Sequence, residues 1–120
     1  MSEQKLLREV TDILHQLGLP AHIKGYYYLR ESIIMSIYNP ELLSAITKQL
    51  YPEIARNNHS SPASVERAMR HAIELAWRRG NMDSMIFYFG YTISSNKGKP
   101  TNSEFISMIA DHVKINYMTA

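Results

Sequence analysis

The chain has 120 residues, no cysteine, and 13 basic against 11 acidic side chains. That length suits one domain spanning 1–120, and a hydrophobic share of 45% supplies a core and excludes global disorder. Without cysteine there is no disulfide scaffold, thiolate zinc site or cysteine nucleophile. No apolar run is long enough to span a bilayer, and the amphipathic, mixed-charge start MSEQKLLREVTDIL is unlike a secretory signal, so a soluble cytoplasmic protein is expected.

Apolar residues recur at helical spacing between the marks set by Gly, Pro and Asn. The first helix is predicted over roughly 3–17, with Leu6, Val10, Ile13, Leu14 and Leu17 on one stripe and Gly18 as its stop. The second, roughly 21–38, carries Ile23, Tyr26, Tyr27, Leu29, Ile33, Ile34 and Ile37, with Pro20 near its first turn. The third runs from about 41 to 56 through Leu43, Ile46, Leu50 and Ile54, and Pro52 predicts an interruption there. The fourth covers 62–79, with Ser61 as N-cap and Gly80 just past its end. A short fifth helix is expected from Asp83 to Phe89, and a sixth over about 102–117, with Phe105, Met108, Ile109, His112 and Val113 on one side. Tyr91 to Ser95 is the nearest approach to a strand. The fold class is all-α, a six-helix domain containing a helix-turn-helix.

Charge is unevenly distributed. Residues 1–55 hold five Lys/Arg against six Asp/Glu, whereas 56–80 hold Arg56, Arg67, Arg70, Arg78 and Arg79 against Glu66 and Glu74. A local basic concentration points to a polyanion partner. On a helical wheel, Val65, Ala68, Met69, Ala72, Ile73, Leu75 and Ala76 occupy one half of the fourth helix. Glu66, Arg67, Arg70, His71, Glu74 and Arg78 occupy the other, with Trp77 at the border and expected to be substantially buried. The polar half reads either as a solvated face supported by Glu66–Arg70 and Glu74–Arg78 pairs or as a recognition helix. In the second reading, Arg offers a bidentate fork to guanine and Glu accepts from cytosine N4. The preceding helix and the polar turn Asn57 to Ser61 complete the helix-turn-helix plan. Ser60, Ser61 and the first free N–H groups are placed to hold a phosphate. Lys97 and Lys99, in a polar loop, are candidates for further backbone contacts.

The run from Val65 to Glu74, continuing through Ala76, Trp77, Arg79, Gly80 and Asn81, resembles the DNA-binding effector domain of the sporulation master response regulators of endospore-forming bacteria. The segments 20–26, 28–30, 50–52, 89–92 and 99–106 resemble it as well, so the likeness runs from about residue 10 to 113. It implies a domain that binds a short G·C-containing operator in double-stranded DNA. It also implies tandem sites occupied by a homodimer, and activation or repression through contact with the primary sigma factor of RNA polymerase. Glu66, Arg67, Arg70 and His71 match recognition-helix positions. Ser64 stands where family members carry a basic residue, so a contact expected there is altered. Ser84, Phe89 and Ile93 are the sigma-contact candidates by position, although the family is more polar at positions 86 and 87. The family's receiver domain precedes this region in full-length members and is absent from this chain, which therefore reads as an isolated effector domain.

Other constellations carry less. The histidines His15, His22, His59, His71 and His112 form no close ligand pair, so no metal and no cofactor are expected. Tyr26, Tyr27 and Tyr28 point in different directions on a helix, which argues against a base-stacking platform. The stretch Met82 to Ile93 holds more apolar residues than one short helix can bury, and the surplus predicts an exposed patch. No nucleophile elbow marks a catalytic site. The alternative to DNA binding is a helical protein-interaction module whose basic face takes an acidic partner; a small helical enzyme would require a concave pocket with convergent polar groups.

Overall fold

The computed structural model describes residues 1–90 and 98–118, and among these all regular structure is helical. The expected strand-like segment 91–95 lies outside the described residues. The first helix, α1 (Glu3–Leu17), buries the predicted stripe completely. Ser2 caps its start by accepting from the Lys5 N–H, and Gly18 ends it at φ 85°, a left-handed conformation that favours glycine.

The second helix, α2 (Lys24–Tyr38), begins later than the sequence predicts. Residues 20–23 instead form the turn out of α1, with Leu19 anchored in the core; Pro20 therefore precedes the helix rather than sitting in its first turn. This helix is central and packs against α1 and two later helices, α4 (Pro62–Arg79) and α6 (Asn102–Val113). Accordingly Gly25, Tyr26, Tyr28, Leu29, Ser32, Ile33, Ser36 and Ile37 are all buried. Of the tyrosine trio, Tyr27 alone is exposed.

The predicted third helix is broken, but not at Pro52. A tight turn of 3₁₀ type covers Pro40–Ser44, and a wider turn with i to i+5 hydrogen bonds covers Ile46–Leu50. The helix α3 proper spans Tyr51–Asn57. The break falls at Ala45 (φ −140°, ψ 44°). Pro52 lies in the first turn of α3, where a missing N–H leaves no bond unmade. A polar turn follows. Asn58 N–H donates to Ile54 C=O, His59 adopts φ 53°, and Ser60 N–H reaches back to Ala55 C=O.

The longest helix, α4, has the predicted bounds and Ser61 as its N-cap. Val65, Met69, Ala72, Ile73 and Ala76 are buried along its back, while Trp77 is half-buried at the core's edge rather than enclosed. Its position on the wheel's border leaves one side of the indole to solvent, so removing it costs less than the roughly 3–5 kcal/mol of a fully buried ring. The fifth helix, α5 (Met82–Phe89), is capped by Asn81, whose Oδ1 accepts from Asp83 and Ser84 N–H groups. Thr101 and Glu104 form a reciprocal capping box at the start of α6. The sixth helix ends at Val113, and a wider turn, Lys114–Met118, replaces its predicted last turn.

The contact between α2 and α4 is close because Gly25 has no side chain. A methyl group at Gly25 would meet the Ala68 carbonyl oxygen and stand 2.8 Å from Ala72 Cβ. Gly25→Ala is therefore expected to destabilise the domain by about 1–3 kcal/mol through overpacking, read as a lower denaturation midpoint at unchanged slope. On the same helix, the buried hydroxyls of Ser32 and Ser36 have no hydrogen-bond partner among the described residues. Ser36→Ala should be neutral or stabilising, since it removes an unsatisfied polar group; a large loss would reveal a partner for that hydroxyl.

Candidate nucleic-acid interface

With its back buried, α4 turns Arg67, Arg70, His71 and Arg78 to solvent, and Glu66 and Glu74 lie half-buried beside them. The predicted quartet Glu66, Arg67, Arg70 and His71 thus shares one exposed side over two turns. Glu66 Oε1 accepts from Arg70 Nη1 at 2.6 Å, an i,i+4 pair in the favoured Glu-first order. Arg67 and His71 make no ion pair among the described residues. The second carboxylate, Glu74, accepts from Lys99 Nζ at 2.7 Å and lies 4.0 Å from Arg78. The hydrogen bond and charge of Lys99 hold the Glu74 carboxyl below its usual range. Lys99 is thereby fixed against the flank of α4.

At the helix start, Ser61 Oγ accepts the Ser64 N–H at 3.2 Å and donates toward Ser64 Oγ at 2.9 Å. Pro62 has no N–H, and Val65 N–H is bonded to Ser61 C=O. The Ser61 hydroxyl and most first-turn donors are therefore engaged, and among the described residues Ala63 keeps the open amide of that turn. Ser60, half-buried, directs its own N–H back into α3. Ser64 is exposed. Lys97 lies outside the described residues.

Two features that hold α4 in place carry no signal in the sequence pattern. Asn102, the first residue of α6, is buried; its Nδ2 donates to Tyr51 Oη and to the Glu66 carbonyl oxygen, each at 3.1 Å. One amide thus ties the start of α3 to the backbone of α4 directly behind the Glu66 side chain. Burial pushes the Tyr51 hydroxyl above its ordinary pKa, with the Glu66 charge adding to the shift against the lowering bond from Asn102. A Thr-Asn-Ser-Glu run advertises a helix cap and hides the buried role of its second residue. The other feature is the pair Asn57–Asn58 in the turn, whose side-chain amides both donate to Glu31 of α2.

Beside α4 runs an open groove of about 790 Å³, bordered by Lys48, Tyr51, Glu66, Arg70, Lys99 and Thr101. Its polar groups are largely mutually engaged, through Glu66–Arg70 and Tyr51–Asn102. No group of three or more His, Asp or Glu side chains suited to a metal ion occurs among the described residues.

The α5 candidates divide. Ser84 is half-buried near the helix start, and Ile93 lies outside the described residues. Phe89 is fully buried, its ring stacked on Phe105 with centroids 5.2 Å apart. Its expected place as a surface contact is corrected on that ground, because residues 85 and 89 share the core side one turn apart. The outward side instead carries Ile86 at 60% and Phe87 at 71% exposure, which is the surplus the sequence predicts. Phe87 sits edge-on to Tyr88 and His112.

Asn102→Ala leaves the Tyr51 hydroxyl and the Glu66 carbonyl without this donor. It is expected to lower stability by about 1–3 kcal/mol, measured by denaturant titration; an unchanged midpoint would remove the amide from the account.

The family model described as sporulation initiation factor Spo0A C terminal matches residues 10–113, most of the chain. That family is one of DNA-binding transcription-factor domains, not of enzymes, and among the described residues no helix is long and apolar enough to cross a membrane. The match covers more than half of the chain, and the chain belongs to the Spo0A C-terminal family, a DNA-binding effector domain associated with sporulation.

Proposed function

We propose that this domain reads a double-stranded operator by laying the exposed side of α4 into the major groove. The observation that carries this reading is the separation of α4 into a fully buried apolar back and an outward side bearing Arg67 near its capped start and Arg70 and His71 at its middle. A helix entering the groove meets base edges with its N-terminal residues. Arg67, unpaired among the described residues, is available as a donor to guanine. Arg70 shares itself between Glu66 and a phosphate or base. Ser64 and the Ala63 amide face the backbone, and Lys99 supports the flank while it neutralises Glu74. Tandem operator copies hold two domains as a homodimer. The domain activates or represses by meeting the primary sigma factor of RNA polymerase around α5, where Ser84 and the exposed Ile86 and Phe87 are the accessible side chains.

Arg67→Ala should weaken binding to the preferred duplex by about 1–3 kcal/mol and relax preference at one base pair. Titrations against the preferred duplex and a scrambled one check this, and equal losses on both reassign Arg67 to phosphate. Glu66 offers a sharper division. A carboxylate facing DNA is repelled by phosphate, so a reader of cytosine N4 and a mere partner of Arg70 behave differently when it is removed. If Glu66 reads cytosine, Glu66→Ala loses discrimination at one position while keeping or gaining non-specific affinity. Binding measured with all four base pairs at each operator position decides, and an unaltered profile ends its role as a reader. A partner that is an acidic protein would show no base preference in any of these titrations.

A further inference from the structure

We propose that Glu31 of α2 is a positioning residue for DNA recognition, clamping the turn that launches α4; this rests on the reading of α4 as the DNA-binding helix. The two carboxylate oxygens are used separately. Oε2 accepts from Asn57 Nδ2 at 2.8 Å and Oε1 from Asn58 Nδ2 at 2.9 Å. The donors are consecutive residues at the end of α3, and the acceptor lies more than two dozen positions earlier in the chain. Among the described residues Glu31 enters no ion pair, so its carboxylate serves these amides rather than a neighbouring cation.

The clamp sits where the backbone most needs holding. The residue after Asn58 is His59 at φ 53°, in the left-handed region that a side chain other than glycine adopts at a cost. Such a conformation persists only where its surroundings over-determine it. Here Asn58 is tied four ways: its N–H to both Ile54 C=O and Ala55 C=O, its Nδ2 to the Ile54 carbonyl, and its Nδ2 to Glu31. Three residues past the clamp stands Ser61, the N-cap of α4. The position of Ser61, Ala63 and Ser64 against a duplex backbone therefore follows from the turn, and the turn is referenced to α2 through one side chain.

Electrostatics makes the inference testable. A carboxylate beside the DNA-facing turn repels phosphate, so removing its charge alone raises affinity for any duplex. Loosening the turn has the opposite effect, and only on the duplex whose register matters. The measurement uses the domain as it stands, with a duplex enriched by the wild-type chain from a random library and a scrambled control. Glu31→Ala is expected to weaken the enriched duplex by about three- to tenfold and to leave the scrambled duplex unchanged or slightly tighter. Glu31→Gln, which retains one acceptor oxygen, should fall between the two. The loss in Glu31→Ala combined with Asn57→Ala should be less than the sum of the single losses, since both act through one bond. Hydrogen exchange at residues 58–61 of the free protein should quicken in Glu31→Ala while the thermal midpoint holds, because the side chains involved are not in the core. Equal losses on both duplexes, or equal gains, would overturn the clamp, as would unaltered exchange in the turn. A wild-type chain that enriches no sequence would overturn the DNA reading and this proposal with it. A sequence-selective wild type with indifferent Glu31 variants would overturn the clamp alone.

Discussion

The side that α4 shows is decided by the side it buries, and that side is decided by how near α2 is allowed to come. Gly25 against Ala68 and Ala72 is the closest point, with no room for a single added carbon. Close approach lets Val65, Met69, Ala72, Ile73 and Ala76 seal completely. A rotation of α4 by one residue, about 100°, would swing Glu66, Arg70 and Glu74 toward the core in one direction, or Ser64 and His71 in the other, and expose part of the apolar stripe. The penalty for burying an unpaired guanidinium is several kcal/mol, so the orientation of Arg67, Arg70 and His71 is a consequence of packing rather than of any contact they make themselves.

The polar groups around α4 refine that placement. Exposed ion pairs such as Glu66–Arg70 and Glu74–Arg78 add little to stability. Their effect is on form: they hold long side chains in defined rotamers and lower the net positive charge of a helix that would otherwise bind any polyanion. Asn102 acts differently. It is buried, and its two bonds join α6, α3 and α4 at one point, so the angle between the two helices of the turn is pinned by a satisfied polar group inside the core.

How much of this is legible in the sequence depends on how local the cause is. The fourth helix is readable in full because its cap, its proline and its apolar stripe all lie within its own residues. The first helix is readable for the same reason. The third is not: the break at Ala45 rather than Pro52 answers to what Leu42 and Leu50 must bury against, a tertiary matter with no local mark. Phe89 belongs with the same class. Its neighbours Phe87 and Tyr88 are equally aromatic, and only the stack on Phe105 shows which of the three is core. Glu31 and Asn102 are single polar residues in ordinary surroundings, and nothing in periodicity distinguishes a carboxylate that holds a remote turn from one that faces water. The quartet Glu66, Arg67, Arg70 and His71 is legible because the wheel alone separates polar from apolar residues; the residues that steady it are not.

The geometry of α5 bears on the proposed contact with a protein. An eight-residue helix that commits Met85 and Phe89 to the core must turn Ile86 and Phe87 outward, so the apolar patch is the unavoidable other side of a well-packed helix. Its location matters more than its composition. The fourth helix has 18 residues, about 27 Å at 1.5 Å per residue, and α5 begins just past its C-terminal end. The proposed base-reading residues run from Glu66, near Ser61, to His71 at the middle of the helix. On the proposed reading, a duplex at α4 and a protein on α5 therefore use different elements of the domain.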